Sequence, residues 1–290
     1  MSTVEVALDA HADLAEGLLW DPESESLLWV DLELGHLHRF VPATGADSVV
    51  EVGQPVGAAA RRRSGGLVLA VRDGFALLSE NEGRLDLVAE VEFELASNRM
   101  NDGKCDPLGF FWAGTKAASD RPGTAALYRL GPDLAVETML EGATISNGLD
   151  WSPDLTCMYY VDSPTRGIDV LDYDPGSGRI ANRRRLVTIP PEAGMPDGLT
   201  VDSEGCIWLA LWGGAAVHRY TPRGVLDRAV ELPVSQVTSC AFGGSDLGDL
   251  YVTSASTGLT PSGRAAEPHA GALFRVRPGV VGLPPRGFAG

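Results

Sequence analysis

Asn147 to Ser163 reads NGLDWSPDLTCMYYVDS. Two short apolar and aromatic runs flank a Ser-Pro-Asp turn, the pattern of two strands joined by a tight connection. The Asn147-Gly148 pair that opens the stretch is the strongest short-range sign of a turn between strands. Taken alone, it reads as a turn and nothing more.

The stretch is not alone. EGLLWDPESESLLWVD begins at Glu16, GAAARRRSGGLVLAVRDG at Gly57 and NDGKCDPLGFFWAGT at Asn101. DGLTVDSEGCIWLALWGG begins at Asp197 and TSCAFGGSDLGDLYVTSAS at Thr238. Each is an apolar strand, a turn rich in Asp, Pro, Gly or Ser, and a second, more aromatic strand. Successive starts lie 41 to 50 residues apart. A period in that range, built from strands only, indicates a β-propeller. Six units predict six blades, each of four antiparallel strands.

Between the units, AALYRLGPDL, AAVHRYTPRGVL and GALFRVRPGVV alternate apolar and polar residues. They read as half-buried outer strands. Val4, Val6 and Leu8 alternate too, and this N-terminal segment is expected to pair with the C-terminal strands. Such pairing closes the ring and removes an exposed sheet edge. No domain boundary is visible, so residues 1–290 read as a single domain. Thr257 to Gly271, rich in Pro and Gly, reads as a long loop inside the last blade.

A net charge of −16 repels phosphates, so nucleic acid and anionic membranes are poor partners. Arg61–Arg63 and Arg183–Arg185 read as solvated loop or strand-edge charge. The N-terminus lacks a signal-peptide pattern, and no apolar run approaches the roughly 18 residues of a membrane helix. Cys105, Cys157, Cys206 and Cys240 form no Cys-x-x-Cys pair and read as reduced, buried thiols of a cytoplasmic protein.

In a propeller, the innermost strand of each blade lines the central channel. Glu16, Asn101, Asn147 and Asp197 each open a unit, so their oxygen atoms are expected to converge at one mouth. A Glu, an Asn and an Asp offer two negative charges and oxygen atoms only. That set suits a hard divalent cation: Ca, Mg or Mn, with Zn or Fe(II) also compatible. There is no nucleophile elbow, no His-Glu-x-x-His and no phosphate loop. His36 and His38 share a strand face away from the channel and read as surface histidines.

These residues carry a resemblance. AEGLLWD (15–21), NRMNDGKCDPLGFFWAGT (98–115), ISNGLDWSPD (145–154), YYVDS (159–163), PDGLTVDSEGCIWLALWGG (196–214), VTSCAFGG (237–244) and GLPPRGFAG (282–290) resemble the SMP-30/gluconolactonase/LRE family. Its members include regucalcin and bacterial sugar lactonases. The resemblance implies a six-bladed propeller with one divalent metal ion, held by Glu16, Asn147 and Asp197. It implies substrate contacts at Arg99 and Asn101, and hydrolysis of sugar lactones to aldonic acids. After AGT the chain departs from the regucalcin pattern. Lys116 stands where Met is usual, and Ser119 lies near the position of an acidic substrate contact. Lys116 reads either as a pocket residue favouring a more anionic or differently hydroxylated lactone, or as a surface lysine. Trp212 reads either as a pocket wall or as a structural aromatic.

A bound divalent ion stabilises a developing oxyanion and lowers the pKa of water toward about 7. Asp197 is the expected general base as well as a ligand, although a carboxylate held by a cation is a weakened base. Arg99 and Asn101 would orient the sugar and its carbonyl. Two rivals keep the same site: an organophosphate or aryl-ester hydrolase, and a non-enzymatic calcium-binding propeller. The expected partner is a sugar lactone. The expected assembly is a monomer or a weak homo-oligomer.

Overall fold

Among the described residues the repeat resolves into twenty-four strands in six antiparallel sheets of four, a six-bladed β-propeller. The architecture comes from a computed structural model, which describes residues 3–80, 83–95, 97–117 and 121–290. β1 is Glu5–Leu8. Blade 1 holds β2 (Ala15–Asp21), β3 (Ser26–Asp31), β4 (His36–Val41) and β5 (Ala46–Glu51). Blade 2 holds β6 (Val56–Arg61), β7 (Leu67–Val71), β8 (Gly74–Ser79) and β9 (Arg84–Glu90). Blade 3 holds β10 (Asn98–Cys105), β11 (Phe111–Ala117), β12 (Ala125–Leu130) and β13 (Val136–Ala143). Blade 4 holds β14 (Ser146–Trp151), β15 (Cys157–Asp162), β16 (Gly167–Tyr173) and β17 (Ile180–Thr188). Blade 5 holds β18 (Met195–Val201), β19 (Ile207–Trp212), β20 (Ala216–Tyr220) and β21 (Leu226–Glu231). Blade 6 holds β22 (Val237–Gly243), β23 (Asp249–Ser254) and β24 (Leu273–Val276), with β1 as its fourth strand.

Ring closure is as expected: β1 pairs with β24, Glu5 opposite Arg275 and Val6 opposite Phe274. The segment from Thr257 to Gly271 joins β23 to β24 and contains one short helix, α1 (Pro261–Ala266), capped by the Thr260 side chain on the Gly263 N–H. Among the described residues no helix is long and apolar enough to cross a membrane.

Two expectations need correction. AALYRL, AVHRY and LFRV are third strands, not outermost ones, and most of their residues are buried. The fourth strands cover them and carry the exposure, as in β5 and β21. The second correction concerns Asn147-Gly148, which lies inside β14 and not in a turn. Each innermost strand has a register irregularity at this point: Glu16/Leu19, Val56/Ala58, Met100/Gly103, Ser146/Leu149, Pro196/Leu199 and Val237/Cys240. Such bulges bend a strand and re-aim its side chains. The glycines are there because neighbouring inner strands touch. A Cβ on Gly57 would lie 2.1 Å from the Asn101 carbonyl oxygen, and one on Gly148 would lie 2.5 Å from the Leu199 nitrogen.

Packing between blades is aromatic. Trp112 and Trp151 meet edge to face at 5.9 Å, and Trp208 meets Phe242 at 5.8 Å. The turn aspartates pin this layer. Asp106 accepts from Trp112 Nε1 at 3.0 Å and Asp202 from Trp208 Nε1 at 2.9 Å, while their other oxygens accept backbone N–H groups of the turn. Both carboxylates are fully buried, so these bonds satisfy acceptors that would otherwise destabilise the core.

The histidine reading also shifts. His38 stacks on Trp29 at 3.7 Å, and its Nδ1 lies 2.7 Å from Asp47 Oδ2, so it is a packed residue in β4 and only half-buried. Arg183 and Arg185, on the edge strand β17, flank Asp169 at 2.7 and 2.6 Å, whereas Arg61 ends the inner strand β6 and pairs with Asp21 and Glu80. All four cysteines are unpaired; Cys157 is half-buried and the rest are buried.

Candidate functional site

The bulges of four inner strands aim Glu16 (β2), Asn101 (β10), Asn147 (β14) and Asp197 (β18) into one cavity at a mouth of the channel. All four are nearly buried, at 5–6% exposure. The cavity holds about 340 Å³ and is also lined by Arg99, Lys116, Ser163, Met195 and Trp212. Sequence proximity has no part in this meeting. Glu16 and Asp197 belong to blades 1 and 5, and only the closed ring brings their strand ends together.

Hydrogen bonds hold the amides in place. Asn101 Nδ2 donates to the Ser146 carbonyl at 2.9 Å and to Asn147 Oδ1 at 3.4 Å. Asn101 Oδ1 accepts from Arg99 Nη1 at 2.7 Å. Asn147 Nδ2 donates to Ser163 Oγ at 2.9 Å, which keeps Oδ1 on the Asn101 side of the cavity. Arg99 is itself oriented by Glu33, which accepts from its Nε at 3.0 Å.

The carboxylates are less well served: Glu16 Oε2 accepts a long bond from the Gly17 N–H at 3.4 Å. Asp197 Oδ1 is buried and has no hydrogen-bond partner. Burial pushes the Asp197 carboxyl well above its usual range, the Asp102 carboxylate adds to this, and Lys116 and Asn147 oppose it. Glu16 is likewise pushed well up by burial and by the Asp197 and Asp102 carboxylates, against the Gly17 N–H and Arg99. A buried carboxylate oxygen without a donor is costly, and an opposing cation is the ordinary remedy. Two carboxylates and an oriented amide therefore fit a hard divalent ion. Among the described residues no group of three or more His, Cys, Asp or Glu side chains is arranged to bind a metal. No histidine lines this cavity among the described residues.

Sequence reasoning missed three contributors. Ser163 orients Asn147, and Glu33 orients Arg99. Asp102, the residue after Asn101, is the third. It lies in the bulge at Met100/Gly103 and lines an adjoining hollow with Lys104 and Asp150, where burial raises its pKa to about 6 against the pull of Lys104. Its nearest sequence signal is the run Asn101-Asp102-Gly103, which carries an acidic residue inside the bulge. Deeper in the channel, Lys104 Nζ donates to Asp150 Oδ2 at 2.8 Å. Lys116 and Trp212, left open by the sequence, both line the cavity. Ser119 lies outside the described residues.

The profile of the SMP-30/Gluconolactonase/LRE-like region matches residues 14–256. Regucalcin of Gallus gallus is 40% identical over 284 residues, covering 96% of this chain and 95% of its own length. A solved calcium-binding protein, regucalcin from Agrobacterium tumefaciens, is 30% identical with a TM-score of 0.95, over 99% of this chain and 97% of that one. A solved luciferin-regenerating enzyme is 34% identical with a TM-score of 0.93, over the full length of both chains. The likeness thus runs through every blade that contributes an oxygen atom to the cavity, and the chain belongs to the SMP-30/Gluconolactonase/LRE-like family.

Proposed function

We propose that this protein is a lactonase of the gluconolactonase type, a carboxylic ester hydrolase that opens sugar lactones to aldonic acids with one divalent cation. The observation that carries the reading is the buried, unpartnered Asp197 Oδ1 beside Glu16 and Asn147, in a cavity that also holds Arg99 and Asn101. Family membership supports it.

In this reading Glu16, Asn147 and Asp197 hold the cation, whether Ca, Mg, Mn, Zn or Fe(II). When bound, it supplies Lewis-acid stabilisation of negative charge on the ring carbonyl. The chain's own residues do the rest. Arg99, fixed between Glu33 and Asn101, donates to the sugar's oxygen atoms and sets its orientation. Asn101 is held by Ser146, Asn147 and Arg99, so it presents a pre-arranged amide to the substrate. Trp212 and Met195 cover the sugar's apolar face and exclude bulk water. Asp197 takes the proton of the attacking water. Burial favours its neutral form and a bound cation would favour its ionised form, so serving as a ligand weakens Asp197 as a base.

Residues 1–290 act as one domain in this proposal. A purely structural ion would not require a 340 Å³ cavity lined by Arg99 and Lys116, which favours the enzyme over a calcium-binding module. The test is turnover of a panel of five- and six-carbon aldonolactones by metal-stripped protein refilled with each divalent ion. Wild type is expected to turn over at least one lactone in an ion-dependent way, and Asp197→Asn none while remaining folded. Ion-dependent turnover of a phosphotriester or aryl ester in place of lactones would overturn the substrate assignment. Near-normal lactone turnover by Asp197→Asn would remove that residue from the chemistry.

A further inference from the structure

Arg166 stands between two of the segments that carry the site. Its backbone has φ 55° and ψ 54°, the left-handed conformation that residues with a Cβ rarely adopt. Gly or Asn is the ordinary occupant of such a position. Its side-chain Nε is buried and has no hydrogen-bond partner. Both features are local costs. Strain of this kind persists where the surroundings over-determine it, and it points to a use for the side chain.

That use is visible in what the residue joins. On one side its backbone N–H donates to the Ser163 carbonyl at 3.0 Å, and Ser163 Oγ accepts from Asn147 Nδ2 at 2.9 Å. On the other side its Nη2 donates to the Pro190 carbonyl at 3.2 Å and to the Gly194 carbonyl at 2.7 Å. These two carbonyls bracket the short turn Pro191–Ala193, which leads into β18. Met195, the residue after Gly194, lines the cavity, and Asp197 follows two positions later. The turn's own bonds are few. Pro190 and Pro191 have no N–H to donate, and residues 190–192 are exposed. Ala193 N–H reaches the Pro190 carbonyl at 3.0 Å, and Gly194 N–H reaches the Pro191 carbonyl at 3.3 Å. A guanidinium is the side chain that can span both ends of such a turn with charge-assisted bonds.

We propose that Arg166 is a positioning residue: it clasps the turn before β18 to the Ser163 turn of blade 4, and so fixes Asp197 against Asn147, the ligands that blades 5 and 4 bring to the cation. The proposal rests on the cation-binding reading and deepens it. The close approach at Gly148 sets the spacing of the inner strands β14 and β18. Arg166 adds a link at the rim, where Ser163 and Met195 stand. It does not line the cavity, so it acts through Ser163 on one side and Gly194 on the other. Groups that orient metal ligands from behind carry much of a site's affinity, commonly ten- to a hundredfold.

The experiment is calorimetry of metal-stripped protein with Ca and Mn as probes, on wild type, Arg166→Asn, Arg166→Gly, Arg166→Lys and Leu155→Gly. Asn and Gly suit the left-handed backbone and remove both side-chain bonds, so each is expected to weaken affinity about tenfold while the fold survives. Lys can still donate to a carbonyl and is expected to lose less. Leu155 is also left-handed, at φ 58°, in the turn between β14 and β15, and its Gly variant is expected to keep wild-type affinity. Wild-type affinity in the Asn and Gly variants would make Arg166 a turn residue only and overturns the proposal. An equal loss in Leu155→Gly, or a Lys variant no tighter than the Asn one, overturns it too. If wild type binds neither ion, the cation reading fails, and the clasp is read by hydrogen exchange of the metal-free protein. Faster exchange of the Gly194, Met195 and Asp197 amides in Arg166→Asn than in wild type then upholds the clasp, and equal exchange overturns it.

Discussion

Asp197→Asn separates the electrostatics of the site from its chemistry. The substitution keeps the shape of the side chain and removes its charge. In metal-stripped protein the wild-type carboxylate is buried, one oxygen lacks a donor, and burial raises its pKa well above the ordinary value. An unsatisfied buried group destabilises by about 1–3 kcal/mol, and a charged one by more. For a chain of this length that corresponds to roughly 2–6 °C in Tm. The pH dependence has a definite sign. Between its unfolded and folded pKa values the folded state holds a proton that the unfolded chain has released, so wild-type stability falls as pH rises through that window. Asp197→Asn lacks this loss, so it should match wild type near pH 4 and exceed it at pH 8. A divalent ion reverses the order. At a hundredfold its Kd it stabilises wild type by about 2.7 kcal/mol, and the variant by much less. Thermal unfolding by circular dichroism, with and without chelator at both pH values, reads all four states. Equal metal-induced shifts in the two proteins, or a metal-free variant less stable than wild type at pH 8, would refute the reasoning.

Glu16→Gln should weaken divalent-ion affinity by tenfold or more in calorimetry, since it removes one of two charges that face the ion. Asp102→Asn should raise the stability of the metal-free protein at pH 7 by up to about 3 kcal/mol, because the carboxyl is displaced from its usual value to about 6 and the same sign argument applies; urea titration at pH 4 and pH 7 checks it, and a gain of equal size at both would count against it. Gly57→Ala should destabilise by roughly 1–3 kcal/mol or more, because the added Cβ meets the Asn101 carbonyl at 2.1 Å, and that atom is backbone. Unaltered thermal stability in that variant would show that the inner strands of blades 2 and 3 can separate without penalty.

The blade count, the ring closure by Glu5 to Leu8 and the oxygen residues that open the units were all legible, because period and alternation are properties of a linear chain. The family followed from the motifs that flank those residues. The oxygen-Gly pairs were harder. In a linear reading Asn147-Gly148 is a turn, since nothing in the string says that another blade's backbone passes against that glycine. The third strands looked half-exposed because their covering strands, such as β13 and β21, are too polar to announce a sheet edge.

By itself the sequence determined a strand-only repeat, six units and the residue types at the head of each, because local pattern and composition are enough for these. Only the tertiary structure decided that Asp197 Oδ1 lacks a partner, that Asp102 lines a hollow with Lys104 and Asp150 and that Arg99 faces Lys116 across two strands. Burial, bulge geometry and register arise when distant segments meet, and ring closure sets all three at once.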